Sequence, residues 1–251
     1  MNFKQFDYEF DLNGYVVLKN IINKKRIIKI NNLLKTLENK KSSELPHNVF
    51  FGKTKNKSEC YISNILEADK EFEKLALIPN ILKIIKHVTS NFFRLNHSVA
   101  MTKYKKNTYT YLHMGNIPNH PKVFYFVKDK KIFSNITKVV FPICNNTKKD
   151  GGFAVIPGSH KAEFVRPNNN NPKNNKLLKH VSAEPGDAIL FTEALAHGSL
   201  INQTNKTRRI LSYCYSVGYM PDWTKLNLQH STEYYKKAPQ KIKNLIKLYK
   251  S

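Results

Sequence analysis

Arginine, acidic residues and cysteine are all scarce in this chain. Of 42 basic residues only Arg26, Arg94, Arg166, Arg208 and Arg209 are arginine, and 18 acids oppose them, for a net charge of +24. A nucleic-acid groove clusters its cations and interleaves them with aromatic rings, whereas these lysines are scattered along the chain. Lysine is enriched together with asparagine, including the run Asn168 to Asn171, as in a general compositional bias. Nucleic acid is therefore not an expected partner. Cys60, Cys144 and Cys214 are odd in number and widely spaced, which excludes a disulfide framework or a sequence-local zinc site. No run of 18 apolar residues exists, so no membrane span is expected. Met1 to Phe10 lacks the basic-then-apolar layout of a secretion signal, which points to a cytoplasmic protein.

What is present is enough apolar material for one folded unit. Hydrophobic residues make up 41% and aromatics 12%, so residues 1–251 are read as a single domain. Gly14 to Leu18 reads as an apolar strand after a glycine turn, and Ile21 to Lys40 as an amphipathic helix. Residues 41–58 read as an irregular loop, and Asp69–Leu77 and Pro79–Val88 as helices, the second with proline in its first turn. From Phe92 the texture changes. Arg94–Lys103, Thr108–His113, Lys122–Val127, Thr137–Ile143, Phe153–Ile156, Ala188–Thr192 and Ile210–Val217 are short, β-branched and aromatic, and read as strands. Phe164–Lys179 is a polar loop, and Ser231–Lys250 has a helical apolar face. Helices followed by many strands give an α+β fold with a barrel-like or double-sheet core.

Four segments carry chemistry: Tyr111-Leu112-His113-Met114-Gly115, Glu184-Pro185-Gly186-Asp187, His197-Gly198-Ser199 and Arg208-Arg209. Two imidazoles and a carboxylate hold a metal on one face and leave the other open, the arrangement of non-haem iron oxygenases. His113 and His197 each fall near the end of a candidate strand, and Arg208 follows on the next strand, where a guanidinium can grip a carboxylate with two hydrogen bonds.

These segments resemble the iron site of phytanoyl-CoA dioxygenase-like Fe(II)/2-oxoglutarate oxygenases. The likeness extends to Asn13-Gly14-Tyr15-Val16-Val17, to Asp150-Gly151-Gly152-Phe153 and to Ile156-Pro157-Gly158-Ser159-His160-Lys161. The resemblance implies a double-stranded β-helix core of jelly-roll or cupin type, with flanking N-terminal helices and a C-terminal helix. It also implies Fe(II) and 2-oxoglutarate as cofactors. His113 and His197 would be metal ligands, Ser199 and Arg208 would contact 2-oxoglutarate, and Lys103 would lie nearby. The expected activity is a dioxygenase, a hydroxylase, acting with O₂ on a small organic substrate and releasing succinate and CO₂. The lysine excess suits an anionic substrate.

The family's first motif is His-x-Asp, and here the third residue is Gly115, which has no ligand to offer. Three explanations stand at this point. Another carboxylate completes the triad, Glu193 first and Asp150 after it. Alternatively a halide fills the site opened by Gly115, as in related halogenases. In the third, the protein binds iron poorly and is a non-catalytic β-helix binding module. Of the other candidates, His160 reads as structural, His97, His120 and His180 as surface residues, Asp187 as a turn residue closing onto backbone amides, and Arg209 as a solvated neighbour of Arg208. Tyr109, Tyr111, Phe124 and Phe126 alternate along expected strands and would line a pocket or fill the barrel core.

Overall fold

The computed structural model describes all residues except 1, 47, 54–57, 116–122, 165–171, 173–174, 222–229 and 248–251. Its centre is a seven-stranded sheet in the order β1-β10-β7-β12-β4-β3-β2, antiparallel at every pairing. The strands are β1 (Tyr15–Leu18), β2 (Phe50–Lys53), β3 (Glu59–Ser63), β4 (Phe93–Lys103), β7 (Ile136–Cys144), β10 (Ala188–Thr192) and β12 (Arg208–Val217). A second sheet, in the order β11-β8-β9, comprises β8 (Phe153–Val155), β9 (Lys179–His180) and β11 (His197–Ser199). A separate hairpin pairs β5 (Tyr125–Lys128) with β6 (Lys131–Ser134). The two sheets form the double-stranded β-helix core of an α+β fold.

Strand alternation divides the large sheet into a helix face and a cavity face. On β12, Leu211, Tyr213 and Tyr215 join the main hydrophobic core, while Arg208, Ile210 and Ser212 line a cavity. On β7, Val139, Phe141 and Ile143 enter that core, while Lys138 and Val140 face the cavity. The helices α1 (Phe3–Asn13), α2 (Lys24–Asn39), α3 (Lys70–Ala76), α4 (Pro79–Val88) and α6 (Gln240–Ile246) cover the core face. α2 starts at the cap Asn23, whose side chain accepts from the Arg26 amide, and buries Ile27, Ile30, Leu34 and Leu37 at helical spacing.

Several elements differ from the sequence expectation. α1 buries Phe6 and Phe10 on one side and ends at Gly14, whose φ of 78° closes the helix in the left-handed conformation. The expected loop 41–58 contains β2, because β3 offers a hydrogen-bonding edge there. Thr108–His113 is not a regular strand: Ser199 Oγ takes the Thr110 N–H at 2.7 Å, interrupting the ladder, and only His113 bridges to His197. The C-terminal helix breaks into α5 (Thr232–Lys237) and α6 because Pro239 forces Ala238 into an extended conformation.

Candidate metal site

His113 and His197 meet through reciprocal backbone hydrogen bonds of 3.1 Å, which set their rings side by side with centroids 4.0 Å apart. Each ring uses Nδ1 on a carbonyl two residues earlier: Tyr111 at 3.0 Å for His113 and Leu195 at 2.8 Å for His197. A carbonyl only accepts, so Nδ1 carries the proton in both and Nε2 is left with its lone pair, the state a metal ligand requires. His197 is buried, and desolvation, reinforced by His113 and Lys138, holds its pKa well below the usual value, so it is neutral.

Glu193 follows β10 in a turn closed by the Leu195 amide on the Thr192 carbonyl at 3.0 Å. The turn brings its carboxylate back toward His197, with Oε2 3.9 Å from Nε2. Ligand atoms of His113, Glu193 and His197 all lie within 4.8 Å of one another. Glu193 is 1% exposed rather than a partly exposed loop acid. The Lys138 ammonium spans this carboxylate, 2.9 Å from Oε1 and 2.8 Å from Oε2, and holds it as a buried ion pair. Two imidazole nitrogens and one carboxylate fit a divalent transition metal.

Gly115 does not lie beside open space. Its φ is +70° and its amide donates to the Ala194 carbonyl at 3.0 Å. A Cβ there would stand 2.7 Å from Ala196 Cα and 2.8 Å from Ala196 N, and closer still to Ala196 Cβ. Glycine is required by conformation and by contact. Asp150 is held in its turn by the hydroxyls of Thr147 at 2.6 Å and Thr204 at 2.9 Å, and is no part of this cluster.

Arg208 projects into a cavity of about 240 Å³ that His113 and His197 also line. The residue is 3% exposed, and its Nε and Nη2 have no partner among the described residues. Desolvation lowers its pKa to about 10, so it stays charged at neutral pH. A buried, charged fork with unspent donors suits an anion. Ser199 also lines the cavity; its Oγ accepts from the Thr110 amide at 2.7 Å, leaving its own hydrogen free to donate.

Lys103 stands directly opposite Arg208 in the β4–β12 pairing, with its charge already engaged. Its ammonium donates to Glu59 Oε2 at 3.1 Å and to the Tyr109 carbonyl at 2.8 Å, and it is not among the described cavity-lining residues. Arg209 is not a solvated neighbour. It points to the opposite face of β12, where Nε and Nη2 meet the Glu38 carboxylate at 2.8 and 2.7 Å. Asp187 closes onto the amides of Asn20 and Glu184 at 3.0 and 2.8 Å. His97 is buried and lines the cavity, with desolvation lowering its pKa to about 3, so the surface expectation fails for it. Its place on β4 beside Val99 and Met101, at a period of two, was the signal for that. His180 is half-buried with Nε2 2.8 Å from the Asn146 carbonyl, and His120 lies outside the described residues. Tyr111, Phe124 and Phe126 are exposed, and the two phenylalanines line a separate surface cleft. Lys138 was not anticipated; a lone lysine on an apolar strand gives no sequence signal beyond its parity with Val140.

The fold is shared with solved structures. HygX from Streptomyces hygroscopicus, with nickel and 2-oxoglutarate bound, superposes with a TM-score of 0.74 at 19% identity, over 92% of this chain and 95% of that one. EctD from S. alaskensis, with 2-oxoglutarate and 5-hydroxyectoine, gives a TM-score of 0.67 at 20% identity, over 85% and 76%. At these identities the likeness is one of fold. Human peroxisomal phytanoyl-CoA dioxygenase is 24% identical over 229 residues, 81% of this chain; the chain spans 65% of that relative's length. The family profile described as phytanoyl-CoA dioxygenase (PhyH) matches residues 10–210, most of the chain, and the protein therefore belongs to the phytanoyl-CoA dioxygenase family.

Proposed function

We propose that the protein is an Fe(II)- and 2-oxoglutarate-dependent dioxygenase that hydroxylates a small organic substrate. The carrying observation is the convergence of His113, Glu193 and His197 beside the buried guanidinium of Arg208, whose Nε and Nη2 have no partner among the described residues. His113 and His197 hold the metal through Nε2, and Glu193 replaces the aspartate of the family motif through its carboxylate. Arg208 and the Ser199 hydroxyl take the far carboxylate of 2-oxoglutarate, fixing the co-substrate in the cavity. When bound, iron supplies the coupling of 2-oxoglutarate decarboxylation, which yields succinate and CO₂, to oxidation of a substrate C–H bond by O₂. The apolar walls Val99, Met101, Val140, Phe153, Phe191 and Ile210 exclude water around the reacting groups. That the neighbour HygX was crystallised with 2-oxoglutarate supports the same co-substrate here.

A halide in place of the aspartate is not favoured, since Ala196 fills the direction a side chain at 115 would take. The test is an anaerobic Fe(II) titration in the presence of 2-oxoglutarate, which gives a weak visible charge-transfer band in a competent site. The band should form in the wild type and vanish in Glu193→Ala and His197→Ala, and succinate should form on admitting O₂. A wild type without the band, or a Glu193→Ala variant with undiminished iron content, sinks this assignment.

A further inference from the structure

Lys138 places a cation against the proposed metal carboxylate. β7 delivers it from the sheet's cavity face, directly opposite Phe191 on β10 and Cys214 on β12. Its side chain is 14% exposed and that of Glu193 is 2%, so water screens the pair weakly. The ammonium lies 2.9 Å from Oε1 and 2.8 Å from Oε2, so its charge stands against both oxygens of the carboxylate.

The charge balance follows from these contacts. A neutral His197, a second imidazole and one carboxylate would carry −1; with Lys138 the set sums to zero. The other charged side chains among the described residues lining the cavity are Lys53 and Arg208, and no acid lines it. A divalent ion entering alone therefore meets a carboxylate already neutralised and a like charge beside it. A dianion entering with the ion meets the opposite field, because the ion and Lys138 both attract it.

We propose that Lys138 is a positioning residue that couples metal binding to binding of the 2-oxoglutarate dianion, weakening the site for the ion alone and strengthening it for ion and dianion together. The inference rests on the assignment of Glu193 and the two histidines as ligands. Linkage makes the coupling reciprocal, so the dianion should raise metal affinity by the factor by which the metal raises dianion affinity.

The experiment measures Mn²⁺ affinity by titration in chloride-free buffer, with and without saturating 2-oxoglutarate, for wild type, Lys138→Met, Lys138→Gln and Lys138→Arg. Lys138→Met should bind Mn²⁺ alone at least about tenfold more tightly, and the tightening by 2-oxoglutarate should shrink at least about tenfold. Lys138→Arg should behave as wild type. Lys138→Gln removes the charge but retains a donor for Oε1, and should follow Lys138→Met if the latter folds poorly. A purely structural lysine predicts the reverse for Mn²⁺: both neutral variants weaken Mn²⁺ and 2-oxoglutarate together. That result, or unchanged affinities, overturns the proposal. Failure of the ligand assignment reads differently, as wild type that does not bind Mn²⁺ or His197→Ala that binds it unchanged.

Discussion

Substituting Gly115 by aspartate would restore the family's His-x-Asp motif in sequence, and the structure predicts that it will not restore a ligand. The φ of +70° puts any L-residue in the left-handed region, at a cost of about 1–2 kcal/mol, somewhat less for aspartate than for alanine. The new Cβ would also press on the Ala196 backbone, 2.7 Å from Cα, in a packed segment where overpacking costs about 1–3 kcal/mol. Together these give roughly 2–5 kcal/mol, and at about 2–4 °C per kcal/mol for a chain of this size the melting temperature should fall by roughly 4–20 °C. The assay is thermal unfolding of Gly115→Asp and Gly115→Ala, paired with Fe(II) titration of each. Adding Ala196→Gly removes the nearest contact but leaves the φ strain, so it should recover only part of the loss. A Gly115→Asp protein that melts with the wild type and binds iron more tightly would refute the reasoning and reinstate an open coordination position at residue 115.

Adjacent arginines should fail in different ways. Arg208→Met should weaken 2-oxoglutarate binding by at least about 30-fold, the loss expected of a buried charge pair, with little change in Mn²⁺ affinity. Arg209→Ala strands the buried Glu38 carboxylate and should cost about 3–5 kcal/mol in denaturant unfolding, with 2-oxoglutarate affinity unchanged in the folded fraction. Ser199→Ala should raise the 2-oxoglutarate KM several-fold with a smaller effect on kcat, measured by succinate release; an equal fall in both would place Ser199 elsewhere in the reaction. His160 is buried, and desolvation, reinforced by Lys161, depresses its pKa to about 4. The unfolded chain then binds the proton more readily, so stability is full above about pH 6.5 and is lost as pH falls toward 4, by up to about 3 kcal/mol. His160→Gln should flatten that acid limb of the stability profile, and an unchanged limb would mean that His160 titrates normally.

Much of the fold was legible because the signals are local. Pro79 at the start of α4, the helical apolar spacing of α2, and the β-branched and aromatic content of β4, β7, β10 and β12 each lie within one segment. β2 was not legible, since its residues become a strand only by pairing with β3. Thr108–His113 failed in the opposite sense: its sequence suits a strand, but the Ser199 hydroxyl takes a backbone donor that the ladder needed. At the site, His113, His197, Ser199 and Arg208 could be named from motif and spacing, whereas His97 and Lys138 carried no signal beyond the parity of their strands, because burial of a single polar side chain depends on what faces it.

The sequence by itself determined the kinds of ligand available, two histidines, an acid nearby and an arginine one strand on, because residue types and strand periodicity are written along the chain. Only the tertiary structure decided how they are used. Whether Glu193 reaches His113, which of Arg208 and Arg209 enters the cavity, why Gly115 must be glycine, and that Lys138 holds the acid all depend on strand register. Register joins residues as far apart as 138 and 193 and, through strand parity, chooses the face of the sheet on which each side chain stands.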